Sequence, residues 1–401
     1  MGKMYDVAIV GAGVIGSTLA LHVSRLGYHV ALLDLRAPSF APCQPERVIA
    51  LSEGSARYLH DLGVWSHILA RGAGLIQHIH VSEPGNTGAV DMYHDALKGA
   101  DALGYVLEIR HVLEPVQQAF PEQITTFYHA KCLGFKQDEQ GVSLHVEYDN
   151  KALDIHARLL VGADGTNSVI RSLAGIQTCG YDHNRLGIVA SIASEHGHGN
   201  TAYECFKEDG PLALLPLADD RFSLVWSVAP KTAVELLNLS DEGFLQMLAH
   251  EAGSKVMDKL GGFTGVGMRA VFPLELRIAT SFAKGRVLLA GNAAHTIHPV
   301  AGQGMNLGLR DVAVLMDILS KPWAKDLSKL LIGQTYAERR RLDTLAVAGF
   351  TEGVLEVFSA SCQAQRWLCG QGLNATQSVS SLKQFLLKQA AGVAQLEGLK
   401  T

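Results

Sequence analysis

The 401-residue chain lacks the features that mark several common functional classes. Its net charge of −5 provides no basic surface for nucleic acid. Its six cysteines form no CxxC pair and no metal-ligand spacing, so we expect free thiols, a reducing compartment and no metal site. The 17 histidines are scattered along the chain and do not change this expectation.

Long apolar segments, internal repeats and low-complexity linkers are absent as well. No apolar run reaches the roughly 18 residues of a membrane-spanning helix, and no signal-peptide pattern precedes the first predicted strand. We therefore expect a cytoplasmic protein, with peripheral contact at the inner face of a membrane as the alternative. The chain does have 48% hydrophobic and 18% charged residues, which is typical of a folded protein long enough for two joined domains.

The first 34 residues predict a strand, a glycine-rich turn, a helix and a second strand. Residues 5–10 are an apolar run typical of a buried parallel strand, and the sequence Gly-Ala-Gly-Val-Ile-Gly follows at once. Helical periodicity begins at Val14 and Ile15 and continues to Gly27, and a second apolar run ends at Asp34. A GxGxxG motif in this context indicates a dinucleotide-binding βαβ unit. A glycine-rich turn without a nucleotide is the simpler interpretation, which this context disfavours.

Each glycine of the motif has a predicted role. Gly11 permits the tight turn, Gly13 lets the backbone approach a pyrophosphate, and Gly16 allows the helix and strand to pack closely. The phosphates then face the positive end of the helix dipole. Asp34, at the end of the second strand, is placed to accept hydrogen bonds from the adenosine ribose. The motif does not distinguish FAD from NAD, because both contain adenosine diphosphate.

The segment 286–311 is the most informative part of the chain. A buried strand ends at Gly291 and Asn292, and a loop rich in glycine leads into a helix. Backbone N–H groups in such a loop can approach a ligand, and a helix N-terminus favours negative charge, such as that of a reduced flavin at its N1/O2 edge. A simple connection is the alternative. His295 and His298 have no cysteine or carboxylate close to them in the sequence, so we interpret them as residues that shape the loop.

Four segments together resemble the single-component FAD aromatic hydroxylases, the family that includes para-hydroxybenzoate hydroxylase. They are GAGVIG at 11–16, ERVIALS with Arg47, GADGTNSVIR at 162–171 and GNAAHTIHPVAGQGMN at 291–306. Within the family the closer resemblance is to the ubiquinone-biosynthesis hydroxylases, and among them to those that act on 2-polyprenyl-6-methoxyphenol. Four shorter segments carry this closer resemblance, at 63–65, 79–82, 210–216 and 223–226.

The resemblance implies bound FAD and a set of residues that contact it. Arg47 would lie along the cofactor, and Asp164, supported by Arg171, would help to hold the pyrophosphate region. Asn292 stands where most of the family has an aspartate that bonds the ribityl chain, so an amide replaces a charge here. The remaining predicted contacts lie against the flavin ring and its pyrimidine edge: Pro299, Gly302, Gly304, Met305 and Asn306.

The order of predicted strands and helices indicates an α/β fold, in which a β-rich substrate domain interrupts a Rossmann-like FAD-binding domain and helices follow at the C-terminus. The predicted ranges are 1–72, 101–178 and 280–345 for the FAD-binding domain, 73–100 and 179–279 for the substrate domain, and 346–401 for the C-terminal helices. Residues 379–391 predict a modestly amphipathic helix. Core packing is its default role, and docking to a membrane or partner is the alternative.

The resemblance also implies a reaction. NAD(P)H, as a transient donor, reduces the flavin, O₂ adds to give a C4a-hydroperoxide, and the ring of a polyprenylated phenol takes up one oxygen atom. Because such an intermediate must be shielded from water, we expect an apolar pocket over the flavin. The sequence identifies no catalytic base. The candidate pocket residues are Tyr203, Phe206, Leu214, Pro216, Trp226 and His298.

Three alternatives stay open from the sequence. The enzyme could hydroxylate another ring position or another phenol. It could be a reductase or a non-catalytic flavoprotein subunit of a ubiquinone-synthesis assembly, for which Asn292 and the missing base are the only support. It could also be an NAD-dependent dehydrogenase. A polyprenyl tail further implies peripheral contact with a membrane or assembly with other ubiquinone-biosynthesis proteins.

Overall fold

The computed structural model describes residues 3–84, 88–358, 371–374, 376–379, 383, 384, 387, 388, 391 and 392. The strands are β1 (Met4–Val10), β2 (Val30–Asp34), β3 (Val48–Ser52), β4 (Gly74–Ile76), β5 (His78–Ser82), β6 (Ala89–Tyr93), β7 (Gly104–Glu108), β8 (Ile124–Tyr128), β9 (Ala130–Gln137), β10 (Val142–Tyr148), β11 (Lys151–Gly162), β12 (Thr178–Ser194), β13 (Thr201–Cys205), β14 (Leu212–Pro216), β15 (Phe222–Val228), β16 (Phe263–Val266), β17 (Ala270–Ala279), β18 (Ala283–Lys284), β19 (Val287–Leu289) and β20 (His295–Thr296). The helices are α1 (Val14–Arg25), α2 (Glu53–Asp61), α3 (Trp65–Leu69), α4 (Ile109–Gln118), α5 (Val169–Leu173), α6 (Pro230–Asn238), α7 (Asp241–Ala252), α8 (Ser254–Leu260), α9 (Gln303–Ser320) and α10 (Leu331–Phe358).

The first sheet contains the N-terminal βαβ unit. Its strands follow the order β18-β19-β11-β1-β2-β8, in which β19, β11, β1, β2 and β8 are parallel, and the β9–β10 hairpin extends it along β11. The apolar, β-branched runs of β1 and β2 are buried, which is typical of parallel strands covered on both faces. At the carboxyl end of the sheet, Val10 pairs with Gly162. Ligands of open α/β sheets bind at this edge.

The second sheet is mostly antiparallel and follows the order β20-β17-β12-β15-β14-β13-β5-β6, with β16 paired to β12. One of its faces packs against α6, α7 and α8 in an apolar core that includes Trp226 and Phe244. The third sheet, β3-β7-β4, contacts both of the others. Its residues pack in one apolar core with α1, which covers the first sheet, and in another with β5 and β6 of the second sheet. The long helix α10 returns to the first sheet, where the Tyr336 hydroxyl donates a hydrogen bond of 2.8 Å to the Leu289 carbonyl.

This architecture confirms the predicted α/β fold with a β-rich insertion between two parts of the parallel sheet. The exact domain ranges given by the sequence stay predictions. Of the predicted helix 379–391, the apolar positions Leu382, Phe385, Leu386 and Ala390 lie outside the described residues. None of the helices in the described ranges combines the length and the apolar character needed to cross a membrane.

Gly74 on β4 lies directly against β14 of the second sheet, and its position yields a prediction. A Cβ at Gly74 would lie 1.9 Å from the carbonyl oxygen of Pro216 on β14. We expect Gly74→Ala to lower the free energy of unfolding by about 1–3 kcal/mol, because the overlap forces the two sheets apart. Denaturant unfolding measures this.

Gly134 on β9 supplies the matched control, since a Cβ there would meet nothing within 4 Å. Gly134→Ala should change the free energy of unfolding by less than about 0.5 kcal/mol. Equal stabilities of the two alanine variants would show that the sheets are not in tight contact at Gly74.

Candidate functional site

The turn between β1 and α1 is shaped by its three glycines. Gly11 has a φ of 109°, and a Cβ there would lie 2.2 Å from the Ala163 carbonyl oxygen. A Cβ on Gly16 would lie 1.8 Å from the Gly11 carbonyl oxygen, so the fold itself demands glycine at both positions. Gly13 differs, because a Cβ there would meet nothing within 4 Å. Gly13 thus faces open space, as the close approach of a pyrophosphate to the backbone requires.

Asp34 lies beside this turn at the end of β2. Its Oδ2 accepts a hydrogen bond of 2.7 Å from the Ala12 backbone N–H, and its Oδ1 accepts one of 2.9 Å from the Arg36 backbone N–H. The side chain is partly exposed, and each carboxylate oxygen has a further lone pair. The contact of Asp34 with a ribose hydroxyl stays a prediction, and its position next to the turn is suited to it.

The second glycine-rich segment packs directly against the first. After β19 the chain turns at Gly291, which has a φ of 60°, and a Cβ there would lie 3.2 Å from Cγ1 of Ile15. On α9, a Cβ at Gly308 would lie 2.8 Å from Cδ1 of Ile15. The small residues at these two positions therefore let the start of α1 approach both the turn and α9. The two motifs found in the sequence form one continuous site, in which Val14 is buried.

Asp311 is the centre of a buried hydrogen-bond network that fixes the loop after β19. Its Oδ2 accepts hydrogen bonds of 2.7 Å from the Gly291 backbone N–H and from Nε2 of His295, and its Oδ1 accepts one of 2.6 Å from Nε of Arg340. Burial opposes ionisation of this carboxyl, but His295 and Arg340 outweigh burial and hold the pKa of Asp311 below its ordinary value. The sequence did not reveal this role of Asp311, although a carboxylate among the apolar residues of a predicted helix was a signal.

His298 lies on the side of the loop that faces the second sheet. Its Nδ1 accepts a hydrogen bond of 3.3 Å from the Val300 backbone N–H, and its ring packs edge-on against His183 with 5.2 Å between centroids. Burial, together with the nearby His183 and Arg185, lowers the pKa of His298 to about 3. The ring is therefore neutral at physiological pH. His295 and His298 both shape the loop, as the sequence indicated.

The stretch from Pro299 to Met305 forms a bend that opens onto the start of α9. Gly302 has a φ of 61°, and a Cβ there would lie 2.7 Å from Cβ of Ala50, so glycine lets this bend approach β3. A Cβ at Gly304 would meet nothing within 4 Å, and Met305 packs against the core shared with α1. The first N–H groups of a helix lack intrahelical partners. This open helix start suits the electron-rich pyrimidine edge of a flavin.

The side-chain amide of Asn306 forms four hydrogen bonds within the protein. Its Oδ1 accepts hydrogen bonds from the Ser52 backbone N–H at 2.8 Å and from the Ser55 hydroxyl at 2.7 Å. Its Nδ2 donates to the carbonyl oxygens of Ala50 at 3.1 Å and Gly302 at 2.9 Å. The side-chain amide is thus fully used within the protein, where it fastens β3 and α2 to the bend. The contact of Asn306 with the pyrimidine edge of the flavin stays a prediction.

The carboxylate of Asp164 bonds to the start of α5, the helix that follows it in the chain. Its Oδ2 accepts hydrogen bonds from the backbone N–H groups of Val169 at 2.7 Å and Ile170 at 3.2 Å, and its Oδ1 accepts one of 2.5 Å from the Ser168 hydroxyl. These are the capping bonds that the N-terminus of α5 needs. The carboxylate of Asp164 therefore orders the turn after β11 through α5, and its part in holding the pyrophosphate region stays a prediction.

The other predicted polar contacts divide between buried and exposed positions. Arg171 is buried and donates hydrogen bonds to the carbonyl oxygens of Ala293 at 2.9 Å and Thr166 at 2.8 Å, so it links α5 to the turn after β19. Asn292 is exposed, and its Nδ2 lies 3.4 Å from the Thr166 hydroxyl. Arg47 is exposed just before β3. The contacts of Asn292 and Arg47 with the cofactor stay predictions.

A cavity of about 810 Å³ extends from the bend at Gly302. It lies between the third sheet, the pocket-facing side of the second sheet and α10. The residues that line it are Ala50, Leu51, Ser52, Ile76, Ile79, Val81, Val90, Met92, Leu103, Gly104, Ala202, Glu204, Phe206, Leu215, Val300, Gly302, Gln303, Asn306, Asp343, Ala346, Val347, Phe350, Val354, Val357, Phe358, Gly372, Leu373 and Thr376. Most of these side chains are apolar, as expected of a pocket that must exclude water.

The structure corrects most of the predicted pocket residues. Tyr203, Leu214 and Trp226 point to the opposite face of the second sheet and pack in the core with α6, α7 and α8. Their neighbours along β13 and β14 line the cavity instead, because successive side chains of a strand point to opposite faces. Pro216 is buried and lines neither cavity.

Two of the predicted residues do line a cavity. Phe206 lines the large cavity, and its ring stacks on Phe358 with 4.5 Å between centroids. Phe206 also borders a second, more polar cavity of about 510 Å³, to which His298 belongs. The stacked pair therefore separates the two spaces.

A cluster of His78, His80 and Asp91 lies on the face of β5 and β6 away from the cavity. Oδ1 of Asp91 is 2.7 Å from Nε2 of His78 and 2.8 Å from Nδ1 of His80. Hydrogen bonds from the two rings lower the pKa of Asp91. Their possible ligand atoms lie within 4.8 Å of one another, a proximity that the sequence spacing did not reveal. The two hydrogen bonds account for this geometry as a link between β5 and β6.

Comparison with known proteins identifies the family. The family described as FAD binding domain matches residues 4–350. The chain belongs to this family. It is an FAD-dependent monooxygenase, and the prediction of FAD as its cofactor is confirmed.

Three curated relatives of this monooxygenase match it over nearly its full length. The ubiquinone hydroxylase UbiL of Rhodospirillum rubrum is 31% identical over 402 residues, covering 98% of this chain and 91% of the relative. The 3-demethoxyubiquinol 3-hydroxylase of Escherichia coli is 31% identical over 403 residues, covering 97% and 98%. The ubiquinone biosynthesis monooxygenase COQ6 of Xenopus tropicalis is 30% identical over 439 residues, covering 97% and 93%.

Solved structures share the fold of this monooxygenase. The p-nitrophenol 4-monooxygenase PnpA of Pseudomonas putida DLL-E4 superposes with a TM-score of 0.80 at 18% identity, covering 98% of this chain and 99% of the other. PqsL of Pseudomonas aeruginosa, a probable FAD-dependent monooxygenase, superposes with a TM-score of 0.76 at 19% identity, covering 92% and 100%. The residues of the present chain fit FAD on their own account. The positions of Gly13 and Gly304 are open, and Gly291 and Gly308 bring the second glycine segment against Ile15 at the start of α1.

Gly13 separates the requirements of the cofactor from those of the fold. In Gly13→Ala the new Cβ meets no protein atom, so the free energy of unfolding of the apoprotein should change by less than about 0.5 kcal/mol. The dissociation constant for FAD should rise by about tenfold or more, because the Cβ occupies the space that a pyrophosphate approaches. Quenching of flavin fluorescence on titration with apoprotein measures this.

Two further glycines act as controls for this variant. Gly16→Ala should destabilise the apoprotein. Gly349→Ala on α10, where a Cβ also meets nothing within 4 Å, should raise the free energy of unfolding by roughly 0.5–1 kcal/mol through helix propensity and should leave FAD affinity unchanged. If Gly13→Ala and Gly349→Ala bind FAD with equal affinity, the pyrophosphate does not bind at this turn.

Asp311→Asn tests the buried network. The substitution keeps the shape of the side chain but removes the charge opposite Arg340, so we expect the free energy of unfolding to fall by about 3 kcal/mol. FAD affinity should fall as well, because the turn at Gly291 loses its anchor. Asp258→Asn, at an exposed position of α8, should change neither quantity. Unchanged stability of Asp311→Asn would show that the loop is held in another way.

Proposed function

We propose that the protein hydroxylates the aromatic ring of a polyprenylated phenol in ubiquinone biosynthesis, and that the substrate is 2-polyprenyl-6-methoxyphenol. The observation that carries this proposal is the large apolar cavity, which begins at the bend around Gly302 and continues along α10 to Gly372, Leu373 and Thr376. Its volume of about 810 Å³ lies within the range of small-molecule pockets. Such a cavity is suited to a phenol ring next to the cofactor and to an apolar tail along the helix.

Bound FAD supplies the chemistry of O₂ activation, with electrons from NAD(P)H. The residues of the chain position the cofactor and the substrate and exclude water. The bend at Gly302 and the start of α9 would hold the pyrimidine edge, and the glycine turn at Gly13 would hold the pyrophosphate. The apolar walls exclude water from the reacting ring, which favours oxygen insertion over the release of hydrogen peroxide.

The names of the relatives support the pathway and supply a second candidate substrate. UbiL and COQ6 are named for ubiquinone hydroxylation or biosynthesis, and the relative in Escherichia coli is named for 3-hydroxylation of 3-demethoxyubiquinol. Hydroxylation of 3-demethoxyubiquinol is therefore the alternative for this chain. The two substrates share a ring with oxygen substituents and a polyprenyl tail, so one cavity serves either.

The tail requires a route into the cavity from its lipid or protein source. Helix α10 exposes the apolar side chains of Leu342, Leu345, Phe350 and Val357, and Phe350 and Val357 also line the cavity. We infer that this exposed apolar side of α10 is where the tail enters. Peripheral contact with a membrane, or assembly with another ubiquinone-biosynthesis protein, would deliver the substrate there.

Oxygen labelling tests the reaction. The FAD-loaded enzyme is supplied with NAD(P)H, ¹⁸O₂ and vesicles that carry either 2-polyprenyl-6-methoxyphenol or 3-demethoxyubiquinol, and the products are examined by mass spectrometry. We expect one labelled oxygen atom in the ring of 2-polyprenyl-6-methoxyphenol. Labelling of 3-demethoxyubiquinol alone would favour the alternative, and NAD(P)H consumption without labelled product from either would contradict the proposal.

A variant of α10 tests the place of the tail. Val354 lines the cavity, and Val354→Trp should raise KM for the long-chain substrate by about tenfold, through lost space in the cavity, with a smaller effect on a short-chain analogue. The exposed Glu338 on the same helix supplies the control, and Glu338→Trp should leave both KM values unchanged. Activity confined to water-soluble phenols in the unmodified enzyme would argue against a polyprenyl substrate.

A further inference from the structure

The large cavity contains a carboxyl group with no partner in the described protein. Glu204 lies on β13 between Ala202 and Phe206 along the cavity-lining side of the strand, and it is only 9% exposed. Its strand neighbours in register are Val81 on β5 and Ala213 on β14, neither of which offers a polar side chain. No hydrogen bond or ion pair to its carboxyl occurs within the described ranges. A nearly buried polar group without a partner is costly and rare in native proteins.

Charged groups on the surrounding elements do not compensate Glu204. Among the residues that line the cavity, Asp343 on α10 is the other titratable group, and its carboxylate is already paired with Arg310 and Arg340. Lys207, three residues along the chain from Glu204, pairs with Glu251. The lining residues include no lysine, arginine or histidine. The cavity therefore offers no cation to an ionised Glu204.

In this apolar environment the carboxyl group of Glu204 is expected to be neutral. Burial raises the pKa of Glu204 to about 8. At neutral pH the group is mostly a carboxylic acid, which carries one O–H donor and a carbonyl acceptor next to each other. The cavity thus presents one polar group that both donates and accepts a hydrogen bond, in a wall that is otherwise apolar.

We propose that Glu204, the unpartnered carboxyl group in the cavity wall, is the polar anchor that hydrogen-bonds the ring hydroxyl of the phenolic substrate. This inference rests on the proposed function and adds the chemical group that the cavity selects. A phenol hydroxyl can accept from the acid and donate to its carbonyl, so both members satisfy each other away from water. An aromatic carboxylate would instead enter a cavity without a cation, so the same site discriminates against charged rings.

The anchor acts on affinity and specificity, so the test measures binding rather than turnover. The probes are 2-methoxy-6-prenylphenol and its O-methyl ether, titrated into FAD-loaded enzyme while the flavin absorbance is followed. The phenol can both donate and accept, whereas the ether can only accept. For the unmodified enzyme at about pH 7, where Glu204 is neutral, we expect the phenol to bind about tenfold more tightly than the ether.

Two variants at position 204 separate the hydrogen bond from the shape of the side chain. Glu204→Gln keeps a donor and an acceptor but cannot ionise, so we expect it to retain the preference for the phenol. Glu204→Leu keeps the approximate volume without polar atoms, so we expect it to bind the phenol and the ether with equal affinity. Glu195→Gln removes an exposed glutamate just after β12 and should behave as the unmodified enzyme.

The pH dependence supplies a readout that a purely structural role would not move. At about pH 9 an acid with a pKa of about 8 is roughly nine-tenths ionised, which leaves an unpaired charge in the cavity. The ether cannot donate a hydrogen bond to that charge, so its dissociation constant for the unmodified enzyme should rise by about tenfold between about pH 7 and about pH 9. The phenol can donate to the carboxylate and should lose less affinity. In Glu204→Gln the dissociation constant of the ether should stay constant over that range, and the ether itself does not ionise.

Unfolding measurements check the premise independently of any ligand. The folded state holds the Glu204 proton up to about pH 8, whereas the unfolded chain releases it near the ordinary value of 4.5. Because the unfolded state then binds fewer protons, the contribution of Glu204 to stability falls as the pH rises through this window. Relative to the unmodified protein, Glu204→Gln should gain stability between about pH 5 and about pH 8.

The inference is overturned if the unmodified enzyme binds the phenol and the ether equally or binds neither. It is also overturned if Glu204→Gln loses affinity with rising pH as the unmodified enzyme does. Should Glu204→Leu not fold, the comparison of Glu204→Gln with the unmodified enzyme across pH still decides the matter. If Glu204→Gln and Glu204→Leu still insert oxygen and bind both probes as the unmodified enzyme does, the proposed function is retained and Glu204 is not the anchor.

Discussion

The site depends on the interaction of one buried carboxylate, Asp311, with three donors from different parts of the chain. A buried charge is costly unless it is paired and hydrogen-bonded, and here the donors are the Gly291 backbone, His295 and Arg340. The loop between β19 and α9 buries most of its side chains, including Ala293, His295 and Ile297, but it has little regular backbone hydrogen bonding. Asp311 supplies the missing restraint by fastening the loop to α9 and α10.

The same network couples the cofactor side of the site to the cavity. Arg340 pairs with Asp311 on one side and with Asp343 on the other, and Asp343 lines the cavity. Asn306 makes a comparable link, because its amide fastens the bend at Gly302 to the backbone of β3, which also lines the cavity. The position of α10 therefore affects both the loop and the space beside it. A substrate tail lying along α10 would meet a helix that is already restrained at its cofactor end.

The sequence predicted the fold class and the two glycine segments, because these depend on local patterns. The requirement for glycine at positions 11, 16 and 302 arises from close contacts that the motifs imply. The sequence did not reveal the internal hydrogen bonds of Asp164 and Asn306, because these depend on contacts that form only in the folded chain. Which face of a strand meets the cavity was not predictable from one sequence, and one step along β13 exchanges Tyr203 for Glu204.

A single neutral acid in an apolar wall meets two demands that otherwise conflict. The cavity must be dry to favour oxygen insertion, yet it must orient a ring whose reactive positions are defined by its hydroxyl group. An unpartnered Glu204 costs the empty protein free energy, and a phenol that pairs with it restores that loss on binding. A ring without the hydroxyl leaves the acid unpaired, and buried unpaired groups are the strongest source of discrimination between similar ligands. Specificity for an uncharged phenol thus follows from placing one polar group where nothing else can satisfy it.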